Sequence, residues 1–114
     1  MIWYTKLKLK KKYYNLIKSG EKIYEVRLLD DKRKLIKIGD IVKINKEPLM
    51  EEFLNATVVD LVHFKTFEEM ANTIPAKEIG FEGRSFYEIL NEYRKFYSKE
   101  KEEMYGIVAI KVKL

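Results

Sequence analysis

Alternating hydrophobic and polar residues predict strands at both ends of the chain. Residues 5–10 alternate two leucines with three lysines. In residues 107–114, Val108, Ile110, Val112 and Leu114 recur at every second position, and Lys111 and Lys113 lie between them. Because successive side chains of a strand point to opposite faces, each segment can turn one face to a core. We interpret the lysine row of the first strand as a solvated face.

Further segments in the middle of the chain also have strand-like patterns. Residues 23–28 place apolar side chains on one face and two charged side chains on the other. Residues 36–38 and 41–44 are expected to be extended on either side of a tight turn at Gly39-Asp40. Residues 56–64 are rich in β-branched and apolar residues and predict a mostly buried strand, while residues 45–55 predict a loop.

Helical spacing recurs in four segments, over residues 11–18, 66–72, 85–97 and 98–104. Gly20 stands where the first helix would end in a left-handed residue, and Thr66 can cap the second. Ser85 and Glu88 have the spacing of a capping box at the start of the third helix. Its aromatic stripe is interpreted as core rather than as a platform for stacked bases.

The length and composition predict one α+β domain over residues 1–114. With 114 residues and 46% hydrophobic content, the chain can bury one core but not two ordinary ones. Strands at both ends and helices inserted late describe a small, curled antiparallel sheet with helices on its side. No internal repeat or linker interrupts this pattern.

The composition argues against disulfides, metal sites, a signal peptide and a membrane span. Cysteine is absent, so no disulfide or thiolate metal site is available, and His63 is the only histidine. We expect a packing or surface role for His63, no metal site and no cofactor. No stretch has the length of a signal peptide core or of a membrane span, which predicts a soluble, cytoplasmic protein.

Positive charge is concentrated in the first part of the chain. Residues 1–46 contain 14 lysines and arginines against 5 acidic residues. Such asymmetry suits a polyanion such as RNA, although a solvated dipolar surface gives the same count. Arg33, between Lys32 and Lys34, is a candidate phosphate contact on a loop near residues 23–28, with a solvated loop as the alternative.

The segment 19–27 carries the candidate chemistry. Strand alternation predicts that Glu25 and Arg27 are neighbours on one face. Lys22 falls on the other face by strict alternation, and it joins them only if the chain twists or bulges there. The three side chains could form a ligand site, a catalytic site or an ordinary structural ion pair.

The spacing Gly20-x-Lys22-x-x-Glu25-x-Arg27 resembles the GxKxxExR signature of the ASCH domain family. The Lys37-x-Gly39-Asp40 turn and the closing segment 105–110 are similar to the corresponding parts of small archaeal and bacterial members. The resemblance implies a PUA-like β-barrel with flanking helices and a cleft that binds RNA, a nucleotide or a modified nucleoside through the signature residues Lys22, Glu25 and Arg27. Arg33 is added to the candidate ligand-binding residues because of its basic loop, not because of the resemblance.

The resemblance also implies an enzymatic alternative. Relatives include an amidohydrolase acting on N4-acetylcytidine and a ribonuclease; the lysine and glutamate of the amidohydrolase correspond to Lys22 and Glu82 here. Its threonine position is Glu25, and a carboxylate cannot donate a hydrogen bond unless it is protonated. We therefore rank binding first and hydrolysis by Lys22, Glu25 and Glu82 second, with the oligomeric state left open.

Overall fold

The computed structural model describes residues 4–114, so the first three residues of the predicted domain lie outside this description. It contains five strands: β1 (Tyr4–Leu9), β2 (Tyr24–Leu28), β3 (Ile41–Lys46), β4 (Phe53–Phe64) and β5 (Ile107–Lys113). Its four α-helices are α1 (Lys11–Ser19), α2 (Phe67–Thr73), α3 (Phe86–Arg94) and α4 (Lys99–Tyr105). Short 3₁₀ turns span Arg33–Leu35 and Ala76–Ile79.

The strands form one curled sheet, a half-barrel, in the order β1-β3-β4-β5-β2. The predicted α+β class and curled sheet are confirmed. One strand pair differs from the antiparallel expectation, because β1 runs parallel to β3 while the other three pairs are antiparallel. The connection from β1 to β3 passes through α1 and β2, which gives the chain room to return in the same direction.

Two predictions for the middle of the chain are wrong. Residues 36–38 are not a strand, because the preceding 3₁₀ turn ends there and the chain runs irregularly into Gly39. The strand predicted over 56–64 begins earlier, at Phe53, and is not mostly buried. It alternates between a core face and a solvent face, and His63 is exposed, in agreement with a surface role.

The core has two parts, and β5 contributes to both. Ile107 and Ala109 pack in one cluster with residues of α2, α3 and β2. Val108 and Ile110 pack in the other cluster with residues of β1, α1, β3 and β4. Because side chains alternate along a strand, β5 is buried on both faces between β4 and β2 and joins the two halves of the core.

The helix caps follow the predicted residues. The Ser85 hydroxyl accepts from the Glu88 main-chain N–H at 3.2 Å, and the Glu88 carboxylate accepts from the Ser85 N–H at 3.1 Å, completing the capping box. Thr66 caps α2 by accepting from the Glu69 N–H at 3.1 Å. Gly20 ends α1 with φ 87°, a left-handed conformation that favours glycine.

A buried carboxylate joins three of the helices. Glu102, on α4, accepts from the Phe67 main-chain N–H at the start of α2 at 2.9 Å and from Arg94 Nη2 at the end of α3 at 3.1 Å. Glu102 is only 6% exposed. One side chain therefore satisfies a free helix N–H and pairs with a cation at the same time.

We expect Glu102→Ala to lower the free energy of unfolding by roughly 2–3 kcal/mol, since it leaves a buried N–H without an acceptor. Denaturant unfolding followed by circular dichroism measures the effect. Glu103→Ala is the matched control, because Glu103 is exposed on the same helix, and it should change stability by less than about 0.5 kcal/mol. Equal effects of the two substitutions would contradict the structural role of Glu102.

Candidate functional site

Lys22 lies in the connection between α1 and β2 rather than in the strand itself. After Gly20 the chain folds back, and the Lys22 N–H donates to the Leu16 carbonyl at 3.1 Å. The next residue is fixed by a bond from the Ile23 N–H to the Glu78 carbonyl at 2.9 Å. Because Lys22 precedes β2, strand alternation does not govern its direction, and its side chain lies on the same side as Glu25.

Lys22, Glu25 and Arg27 form a continuous row of charges. Lys22 Nζ lies 3.4 Å from Glu25 Oε1, and Arg27 Nη2 lies 3.4 Å from Glu25 Oε2. The predicted proximity of Glu25 and Arg27 is thus found, and Lys22 joins them. The carboxylate stands between two cations, one on each oxygen.

Main-chain carbonyls complete the surroundings of the two cations. Lys22 Nζ also donates to the carbonyl of Tyr24 and, at 3.2 Å, to that of Ile79. Arg27 Nη2 reaches across to β1 and donates to the Lys8 carbonyl at 3.1 Å. Lys22 is 3% exposed and all three of its donors have acceptors, whereas the Arg27 side chain is 20% exposed.

Burial and the neighbouring charges shift the pKa values of Lys22 and Glu25. Burial lowers the pKa of the Lys22 ammonium more than the Glu25 carboxylate raises it. Burial by itself would raise the pKa of the Glu25 carboxyl, but Lys22 and Arg27 together outweigh burial and hold that pKa below its ordinary value. Glu25 is therefore an ionised acceptor at neutral pH, and Lys22 is the group that loses its proton more easily than an ordinary lysine.

These side chains open into a cleft of about 240 Å³. Aromatic rings form much of its wall, cations and carboxylates both line it, and three aliphatic residues complete it. The aromatic residues are Tyr13, Phe81, Tyr93, Phe96 and Tyr97; the cations are Lys8, Lys10, Lys22 and Arg27; the carboxylates are Glu25, Glu47 and Glu92; and the aliphatic residues are Leu9, Val26 and Ile79.

Two of the residues singled out in the sequence lie apart from this lining. Glu82 is exposed on the turn before α3 and does not line the cleft. Arg33 pairs with Asp30, with Nη1 2.9 Å from Oδ2. Burial raises the pKa of the Tyr97 hydroxyl, while the positive charges of Arg27 and, to a smaller extent, Arg33 act in the opposite direction.

The sequence analysis missed the carboxylate that α3 brings to the cleft and the role of its aromatic stripe. Glu92 is half-buried and lies within 3.4 Å of Arg84 and 3.0 Å of Lys95. Tyr93 is buried and stacks on Phe67, as the core interpretation predicts, yet it also lines the cleft. Phe96 is 61% exposed. The helical spacing of residues 85–97 was the signal available in the sequence. It did not show that α3 ends at Arg94 or that this end of the segment faces a cavity.

Within residues 4–114, no helix is long and apolar enough to cross a membrane. In the same part of the chain, no three histidine, cysteine or acidic residues are grouped as a metal site would require.

Gly80 packs directly against the Lys22 side chain. Its φ is +89°, and a Cβ placed on it would lie 3.0 Å from Lys22 Cδ and 3.2 Å from Tyr13 Cδ1. Gly83 has a similar φ of +80°, but nothing lies within 4 Å of a Cβ there. The two glycines therefore share the backbone requirement and differ in the space around them.

We expect Gly80→Ala to destabilise the fold by roughly 1–3 kcal/mol, from the left-handed backbone and from displacement of the Lys22 side chain. Gly83→Ala carries only the backbone cost and serves as the matched control. Thermal unfolding of both variants measures the difference. If Gly83→Ala destabilises as much as Gly80→Ala, close packing against Lys22 has no energetic consequence.

Comparison with known proteins places this arrangement in a family. The family model for the ASCH domain matches residues 7–114. The chain is 34% identical to the hypothetical protein PH0355. The alignment covers 97% of this chain and 98% of that chain, and the two structures superimpose with a TM-score of 0.85. It is 32% identical to protein PF0455 from Pyrococcus furiosus, over 97% and 96% of the two chains, with a TM-score of 0.77.

More distant structures share the fold alone. The S128A mutant of ZmASCH from Zymomonas mobilis is 15% identical, with 97% of this chain and 68% of that chain covered and a TM-score of 0.64. The search of curated proteins found no match. The family model covers nearly the whole sequence and agrees with the curled sheet and its flanking helices, so the chain belongs to the ASCH domain family, whose fold is PUA-like.

Proposed function

We propose that this protein binds single-stranded RNA or a nucleotide and holds one base in the cleft. The observation that carries the proposal is the meeting of Lys22, Glu25 and Arg27 in a single cavity with aromatic walls. An ion pair that served only the fold would not need an adjoining hollow lined by rings. The family is associated with RNA binding, which supports the same conclusion.

The size of the cleft favours one base over a larger ligand. At about 240 Å³ it is below the roughly 300–1,000 Å³ typical of sites for drug-sized molecules. A duplex cannot present a base to such a cleft without unpairing it, whereas single-stranded RNA can turn a base out of its stack. The proposed ligand is therefore a nucleotide, or a loop or end of RNA with an accessible base.

The distribution of charge suggests how the ligand is oriented. The deeper part of the site holds the ionised Glu25 carboxylate, which would repel a phosphate but accept from an exocyclic amine. Lys8 and Lys10 are exposed and line the cleft from the end of β1. We place the base inward and the phosphates outward, against these lysines and the exposed part of Arg27.

Arg33 extends the cationic surface beyond the cleft. The Arg33 charge acts to lower the pKa of the Tyr97 hydroxyl, against the larger effect of burial, which supports a position near that side of the cleft. Lys32 and Lys34 flank it and are exposed. The chain of the RNA could therefore continue from the bound base toward residues 32–34, with these side chains as phosphate contacts.

Phe96 supplies an accessible ring at the mouth of the cleft. It is 61% exposed, and Lys10 Nζ lies 5.3 Å from its ring centroid. Base stacking on an accessible aromatic ring contributes roughly 1–3 kcal/mol per base. Phe96 is thus the residue whose loss should weaken binding with little effect on the fold.

We expect Phe96→Ala to weaken binding of short single-stranded oligoribonucleotides by about 5- to 160-fold, the equivalent of a stacking energy of roughly 1–3 kcal/mol. Fluorescence anisotropy at several salt concentrations measures it, and the affinity should fall as salt rises. Tyr87→Ala is the matched control, because Tyr87, in the first turn of α3, is 74% exposed but does not line the cleft. Binding that is independent of both salt and Phe96 would reject the proposal.

One observation favours hydrolysis as a second candidate function. Lys22 is buried and its pKa is lowered, and a lysine must lose its proton before it can act as a base or nucleophile. Two further facts rank this candidate lower: all three Lys22 donors have acceptors, and Glu25 has a lowered pKa, which makes it a weak proton acceptor.

Incubation with N4-acetylcytidine, and separately with single-stranded RNA, tests the hydrolase candidate. Under the binding proposal we expect no more acetate or cleaved RNA than in buffer alone, by liquid chromatography. Turnover that disappears in Lys22→Met, while Phe96→Ala retains part of it, would instead assign catalysis to Lys22. Circular dichroism of both variants separates loss of activity from loss of fold.

A further inference from the structure

The two edge strands of the sheet face one another across the cleft. The order β1-β3-β4-β5-β2 leaves β1 and β2 each without a second strand partner within residues 4–114. Lys8 and Leu9 of β1 and Glu25, Val26 and Arg27 of β2 all line the cleft. We call this gap between β1 and β2 the seam.

The hydrogen-bond pattern shows which main-chain groups of β2 point into the seam. The Leu29 N–H donates to the Gly106 carbonyl, and the Val112 N–H donates to the Ile23 carbonyl, one bond at each end of the β2–β5 ladder. In an antiparallel pair, hydrogen-bonded residues alternate with residues whose N–H and C=O point away. Tyr24, Val26 and Leu28 therefore direct these groups away from β5.

Val26 differs from the other two outward-pointing residues. The Tyr24 carbonyl accepts from Lys22 Nζ, and Leu28 does not line the cleft. Val26 lines the cleft and is only 2% exposed. The β2–β5 ladder leaves its N–H and carbonyl pointing away from β5, which is the only strand that pairs with β2, and outside the ladder no hydrogen bond to either group is found within residues 4–114. More than about 90% of buried main-chain polar groups are paired, so a donor and an acceptor together at this position indicate a partner from outside the chain.

We propose that the main-chain N–H and C=O of Val26 bind the hydrogen-bonding edge of the base held in the cleft. This inference rests on the proposed function and specifies the recognised chemistry: a planar ligand with an acceptor next to a donor. The Watson–Crick edge of each unmodified RNA base has such a pair. Val26 therefore selects an unblocked edge, and Glu25 and Arg27 supply the contacts that distinguish one base from another.

A peptide strand is a poorer occupant of the same edge. Strand addition needs a continuous row of free main-chain groups, but Arg27 Nη2 bridges the seam to the Lys8 carbonyl at 3.1 Å, and Lys22 occupies the Tyr24 carbonyl. A single base needs the groups of one residue only. The cations along the cleft also favour a ligand that carries phosphate.

The test compares oligoribonucleotides that differ only at the base edge. The tightest binder among short homopolymers of the four bases is compared with the same oligomer carrying methyl groups that block the Watson–Crick edge without adding charge. These are methyl groups on N1 of guanine or N3 of uracil, or two methyl groups on the exocyclic amine of adenine or cytosine. We expect methylation to weaken binding by at least about tenfold, because it blocks the edge and leaves the main-chain N–H or C=O unpaired. Methylation of the ribose 2′-hydroxyl leaves the edge intact and is the ligand control.

A protein variant tests Val26 directly. Replacing Val26 with its α-hydroxy acid removes the N–H and keeps the side chain that packs in the core. We expect weaker binding of the unmethylated oligomer and a smaller penalty for edge methylation. The same replacement at Leu28 removes an N–H that also points away from β5 but lies outside the cleft, and it should leave binding unchanged.

The outcomes separate this inference from the function on which it rests. Binding that requires Phe96 but ignores edge methylation and the Val26 replacement would overturn the role of Val26 and leave RNA binding intact. That result would mean that water alone satisfies the Val26 groups. No salt-sensitive binding to any of the four homopolymers or to the four free nucleotides would overturn both.

Discussion

A buried ammonium group sets the conditions for the rest of this site. Lys22 is 3% exposed, and a charge so far from water is tolerated only when acceptors surround it. The three acceptors come from two parts of the chain: the Tyr24 carbonyl and the Glu25 carboxylate in β2, and the Ile79 carbonyl at the end of a 3₁₀ turn. Gly80 then has to lack a side chain, since Lys22 Cδ fills the space next to it. The ammonium thus fixes the position of β2 relative to the 3₁₀ turn at 76–79.

The second cation of the site connects the edges of the half-barrel. Arg27 donates to the Glu25 carboxylate and to the Lys8 carbonyl, so it links β2 with β1, which are not paired as strands within residues 4–114. A sheet that closed fully would pair the main-chain groups of both edges with each other. Here a side chain bridges the gap, and space remains beneath it for the cleft. The cleft is therefore a consequence of incomplete barrel closure.

The aromatic residues of α3 and of the turn that follows it contribute to both the core and the cleft. Tyr93 stacks on Phe67 with ring centroids 4.7 Å apart and meets Phe81 edge to face at 5.6 Å. One turn further on, Phe96 is exposed at the mouth of the cavity. The cleft thereby has one wall held rigidly by the core and one ring free to contact a ligand. Such a division suits recognition of a flat, apolar base joined to a charged backbone.

Local patterns in the sequence determined the elements and the character of the site. Strand alternation placed Glu25 next to Arg27, the Ser85 and Glu88 spacing located the start of α3, and the GxKxxExR spacing indicated the family, because each depends only on residues close together in the chain. The tertiary structure alone decided that Lys22 turns toward Glu25, since its acceptor at Ile79 is 57 residues away. It also decided that Glu92 rather than Glu82 lines the cleft and that the Val26 main chain lies unpaired at the seam. Those facts depend on which segments meet in space, and the residue types at these positions do not indicate which distant residues will be their neighbours.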